Sequence, residues 1–253
     1  MNLSKLPIFM LDKIRTSIFT LDDIDLYING LVSSIGCQDF YKGIIHDETR
    51  DGTLATYNYH TFKVRIFYEM MKTQGRLDAK YMNRDDYILV TNLIILESII
   101  HEVVHIFQNY CYHNNDYPFL QIMFRQLQFA EDCDEDIYNY YYSYFTYERD
   151  ADTIALENIL IILRYLIKDA ELFAYYLSVL KLRMIKGYQI RNNAFYSPIE
   201  AIYHDLFKEE WPEIKADNNY ASLKLGLKVS KRQYNIFKTN YKSIIIDKND
   251  LQI

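Results

Sequence analysis

Two histidines four residues apart, with a glutamate directly after the first, lie in His101-Glu102-Val103-Val104-His105. In an α-helix such histidines are separated by about 400° of rotation and roughly 6 Å of rise, so both imidazoles point the same way and can grip one cation. Glu102 lies about 100° round the helix from His101, beside the cation without being forced to bind it. This is the disposition H-E-x-x-H needs: two neutral nitrogen ligands for Zn²⁺, and a carboxylate that takes a proton from water. Leu96, Ile99, Ile100, Val103, Val104, Ile106 and Phe107 surround the motif almost on every side, and a helix apolar all round is buried. Histidines and a glutamate buried there need partners, and a metal supplies one. The plainer alternative is a core helix whose histidines are satisfied by hydrogen bonds.

A third ligand has to come from another element. Downstream, Glu148 and Asp152 are again four apart, on an apolar stripe traced by Tyr141, Phe145, Ala155, Leu156, Ile159 and Leu163. Carboxylates in such a stripe are costly unless something cationic or hydrogen-bonding meets them. Glu148 can be the third metal ligand, and Asp152 can accept the free N–H of a ligand histidine and so fix its tautomer. The small Ala151 would let the two helices approach closely. The alternative is a surface salt-bridge patch with Arg149 or Arg164.

HEVVH followed by the helical Glu-x-x-Ala-Asp of residues 148–152 resembles the gluzincin branch of the zincin metallopeptidases. The resemblance covers residues 99–108 and 147–155. It implies an α+β, mainly helical fold: a zincin-like core with an active-site helix and a small sheet. It also implies a zinc-dependent hydrolase acting on a peptide or protein substrate, with His101, His105 and Glu148 on zinc, Glu102 as general base and Asp152 behind a ligand histidine. Gluzincins place a His or Tyr on a later helix to steady the oxyanion, and by chain order His204 or Tyr203 takes that part. A catalytically silent, zincin-like binding or regulatory protein that holds a partner in its groove is the rival reading. A di-iron bundle would need a second Glu-x-x-His, which the chain lacks, since Glu200 and His204 are four apart.

The rest of the chain has to position these residues. Its 253 residues suffice for one large core, and seven glycines and four prolines point to helices with few tight turns. Residues 1–90 are expected to form a mixed α/β part, 91–210 a helical metal-site part, and 211–253 a basic segment on the same unit. The first fifty residues show short apolar bursts that assign no element. From Thr61 to Tyr68 the pattern alternates with a period of two, predicting a strand; an exposed edge there could hold an extended peptide, and an ordinary core strand fits equally. His46 and His60 are expected to be surface or half-buried residues.

Asp85 and Asp86 offer an N-cap for a helix from Tyr87 to about Asn109, and Asn114, Asn115, Asp116 and Pro118 end it. A short helix over 119–130 and an acidic loop over 131–136 follow. Helices are then expected over 136–166, 168–186 and 197–207, and a basic, aromatic tail from Lys215 to Lys248. The net charge of −6 speaks against nucleic acid as the main partner. Three widely spaced cysteines suit a reducing compartment. The charged N-terminal stretch shows no signal peptide, and the run Ile88–Ile100, with Thr91, Asn92, Glu97 and Ser98, reads as too short and too polar to span a bilayer. A cytoplasmic location is the expectation.

Overall fold

A computed structural model gives the fold for residues 6–48, 53–114 and 146–187. Among these residues the protein is mainly helical with one small three-stranded sheet. The chain runs through α1 (Ile8–Lys13), α2 (Leu21–Ser34), a 3₁₀ turn, β1 (Ile44–His46), β2 (Ala55–Asn58) and β3 (Lys63–Ile66). It continues through α3 (Tyr68–Tyr81), α4 (Tyr87–His113), α5 (Thr146–Ile161), a π turn over Ile162–Ile167 and α6 (Ala170–Gly187). The expected elements and residues at 119–136, 197–207 and 215–248, with Tyr203 and His204, lie outside the described residues, as do Tyr141 and Phe145.

The 27-residue α4 is the axis of the fold, and 19 of its residues are buried, so it has no solvent face to speak of. Helices α2, α3 and α5 and strand β2 all pack on it. By length and composition α4 could cross a membrane, because it continues past Ile100 to His113 and is longer than the apolar run suggested. Yet 72% of its most apolar window is buried inside the protein, as in a core helix.

The polar residues of that run have structural work. Asn92 is fully buried; its amide donates to the carbonyls of Ile14 (3.0 Å) and Ser17 (2.9 Å), and its oxygen accepts from the Phe19 N–H (2.9 Å). It thereby satisfies backbone groups of the α1–α2 connection that would otherwise be buried unpaired. Thr91 is where α3 comes closest: a Cβ on Gly75 would lie 2.7 Å from Thr91 Cα, so only glycine fits there. Asp86 holds the N-cap position of α4 but makes no side-chain cap bond. Its carboxylate instead takes the Arg84 guanidinium at 2.8 Å, and Arg84 also reaches Asp169 at the start of α6 (2.7 Å).

Residue 90 lies inside α4, and among the described residues one continuous hydrophobic core runs from Leu6 to Leu180. One expectation needs correction. The strand expected over 61–68 is confined to Lys63–Ile66, and it is the central strand: the order is β1-β3-β2, with β1 parallel and β2 antiparallel to β3. The reason is local. Asn58 Oδ1 accepts from the N–H groups of His60 (3.0 Å) and Thr61 (2.8 Å), closing the β2–β3 turn, and Phe62 leaves that turn at φ 57°. At the other end Tyr68 already begins α3. Among the described residues the strand at the edge beside α4 is β2, where Ala55 and Tyr57 alternate with Thr56 and Asn58 over only four residues.

The first fifty residues, which carried no assignable pattern, include a 14-residue helix, α2, opened by a capping box. Asp23 N–H donates to Thr20 Oγ1 (3.2 Å) and Thr20 N–H donates to Asp23 Oδ2 (2.9 Å).

Candidate metal centre

His101 and His105 lie one turn apart on α4, and α5 brings Glu148 and Asp152 to them. The Ala151 and Ala155 side chains of α5 are fully buried, in keeping with the close approach of the two helices. His101 Nε2 lies 2.9 Å from His105 Nε2 and 3.1 Å from Glu148 Oε2, and His105 Nε2 lies 3.4 Å from the same oxygen. A tetrahedral site with metal–ligand distances of about 2.1 Å has edges of roughly 3.4 Å, so the triangle is one that a single ion can cap. These three residues form a group that can hold a metal ion.

The other ring nitrogens decide what the triangle offers. His101 Nδ1 lies 3.0 Å from Asp152 Oδ1, and His105 Nδ1 lies 2.8 Å from Gln108 Oε1. Carboxylate and amide oxygens only accept, so each Nδ1 bears a hydrogen. In the neutral rings both Nε2 atoms then carry lone pairs aimed at each other and at a carboxylate oxygen. Three acceptors this close repel unless protons or a cation lie among them.

The electrostatics say the same. Burial pushes the His101 imidazole towards neutrality, but Asp152 and Glu148 outweigh it and hold its pKa well above the ordinary value. Burial acts likewise on His105, and Glu148 again prevails, so its pKa is raised too. Burial would push the Glu148 carboxyl up, yet the two imidazoles hold it well below the usual carboxylate range. The cluster attracts positive charge, and protons supply it when no ion does.

Glu102 is buried on the neighbouring face of α4, and its Oε2 has no hydrogen-bond partner among the described residues. Burial raises its pKa, while His101 and His105 pull it down less strongly. A buried acceptor without a partner is uncommon and costs about 1–3 kcal/mol. A water on an ion capping the triangle would donate to it, so the donor set and the unpartnered oxygen both fit a metal.

Five of the expected site residues therefore meet: His101, Glu102, His105, Glu148 and Asp152. His46 and His60 are exposed and take no part. The sequence reading missed Gln108, three residues after His105, and Tyr57, whose backbone N–H is among the groups acting on Glu102. Tyr57 Oη donates to the Phe40 carbonyl (2.9 Å) and accepts from Asn109 Nδ2 (3.0 Å), fastening β2 to α4 one turn beyond His105. No family model, no curated protein and no solved structure matches the chain.

Proposed function

We propose that this protein is a zinc-dependent metallopeptidase of the gluzincin type. The observation that carries the reading is the meeting of His101 Nε2, His105 Nε2 and Glu148 Oε2 near Glu102, whose Oε2 has no hydrogen-bond partner among the described residues. Two nitrogens and one oxygen, with a fourth position left for water, is the ligand set of catalytic zinc. The same donors serve iron(II) in oxygenases; a buried general base next to them favours hydrolysis.

The residues divide the chemistry as follows. His101, His105 and Glu148 would hold the ion, and Asp152 would keep His101 facing it. Bound zinc supplies a Lewis acid that brings water's pKa down towards about 7. Glu102 would accept a proton through Oε2 from a water held there, and its raised pKa would suit it to pass that proton to the leaving amine. Burial keeps bulk water from competing for the same oxygen.

In this reading an extended substrate would lie along strand β2. The Phe67 N–H donates to the Leu54 carbonyl at 3.0 Å, which makes 54–67 a hydrogen-bonded pair. In the antiparallel register, Ala55–Ile66 and Tyr57–Val64 are then non-bonded pairs. The N–H and C=O of Ala55 and the C=O of Tyr57 therefore point away from β3, where an extended peptide could add as a further strand, while the Tyr57 N–H is turned to Glu102.

The test is Glu102→Gln in the full chain, assayed on a broad peptide library by mass spectrometry with the metal content measured in parallel. One zinc per chain should be kept and cleavage should fall by about 10²–10⁴-fold. Equal cleavage by the variant refutes the role of Glu102. Absence of cleavage by the wild-type protein with zinc bound favours a binding protein that keeps the metal for structure.

A further inference from the structure

We propose that Gln108 is a positioning residue that locks His105 in its ion-ligating tautomer, so that the helix bearing this imidazole also supplies the acceptor that aims it. The inference rests on the metal reading above. Gln108 follows His105 by three residues, a spacing that makes side chains neighbours on a helix, and it is 2% exposed. Its Oε1 lies 2.8 Å from His105 Nδ1. Because that oxygen can only accept, the hydrogen is held on Nδ1 and the Nε2 lone pair is left facing His101 and Glu148.

His101 reaches the same state by a different route. Its Nδ1 partner is Asp152, a residue of α5, the helix that also supplies Glu148. The Nδ1 acceptor of one imidazole thus lies on the helix that bears it, and that of the other lies on the second helix. A neutral amide also suits its place. Glu102 and Glu148 are both buried in the site, and a carboxylate at 108 would add a third buried negative charge near the same ion. If filling space were the whole task, methionine would occupy nearly the same volume without a buried amide to satisfy.

Two measurements on the full-length protein test this. The first is the long-range ¹H–¹⁵N spectrum of the metal-free wild-type protein, recorded at alkaline pH with both imidazoles neutral. His105 should appear as the Nδ1–H tautomer; an Nε2–H tautomer overturns the proposal without any variant being made. The second is a zinc titration against a chelator for Gln108→Met, which removes the acceptor, and Gln108→Glu, which keeps one. The methionine variant should lose roughly 10–100-fold in affinity and show mixed His105 tautomers, and the glutamate variant should hold the wild-type tautomer. A methionine variant with wild-type affinity and an unchanged tautomer overturns the proposal. Should wild type bind no zinc while His105 is Nδ1–H, the metallopeptidase reading fails and the tautomer lock stands.

Discussion

Asp152 Oδ1 stands 3.0 Å from His101 Nδ1, one helical turn after Glu148 on α5. A single helix thus supplies both a candidate ligand and the acceptor that aims another. Removing the two should have graded effects. Asp152→Ala should keep the zinc stoichiometry and weaken affinity by roughly 10–100-fold, through the freed His101 ring. Glu148→Ala should weaken it further, because a ligand is lost and two imidazoles are left to hold the ion. Competition titrations with a chromophoric chelator measure both, and equal affinities for the two variants would contradict the assigned roles.

The pH dependence has a sign that follows from the charges. In the metal-free protein burial opposes charged imidazoles, but their carboxylate partners raise His101 and His105 above the ordinary value. Their contribution to stability is complete below about pH 6.5 and is lost as pH rises through the raised values. The raised Glu102 carboxyl acts in the same direction. The depressed Glu148 contributes above the usual carboxylate range, and that contribution is lost as pH falls through its lowered value. The metal-free protein should therefore lose stability on the alkaline side. Zinc needs these ligands deprotonated, so the rise in Tm that it produces should grow with pH and vanish in acid. Thermal melts with and without zinc, from about pH 5 to pH 9, read both trends; a zinc gain that is larger in acid would count against the site.

Gly75 and Thr91 mark the tightest approach of α3 to α4, where an added methyl group meets Thr91 backbone at 2.7 Å. Gly75→Ala should destabilise by about 1–3 kcal/mol, outweighing the helix propensity that alanine gains. The contact lies ten residues before His101, so the zinc stoichiometry should not change. Chemical denaturation with metal analysis checks the two together, and a variant as stable as wild type would show that the helices can part without cost.

The candidate site was legible wherever its geometry is local to a helix. The four-residue spacings His101–His105 and Glu148–Asp152 fix shared faces without any knowledge of the fold, and the apolar residues around them announce burial. Gln108 carried the same kind of signal at three residues, but a glutamine in a long apolar run does not reveal what its amide meets. Features set by tertiary contacts were harder to see. Asn92 reads as a polar interruption, and only the fold shows it holding three backbone groups of the α1–α2 connection. Asp86 has the composition of a cap, and Arg84 draws its carboxylate elsewhere. The alternation from Thr61 to Tyr68 correctly marks strand character. It cannot show that Asn58 closes a turn before Phe62, nor that the neighbouring β2 is the strand beside α4.

The residues that would hold the ion come from two helices widely separated along the chain, with one carboxylate from α5 set against two imidazoles from α4. An ion bound there would act as a clasp between distant segments, favouring the folded chain because it binds that state and not the unfolded one. Withdrawing it would slacken the seam between α4 and α5, on which the hydrophobic interior also depends, so a chelator should alter the shape of the protein as well as silence it.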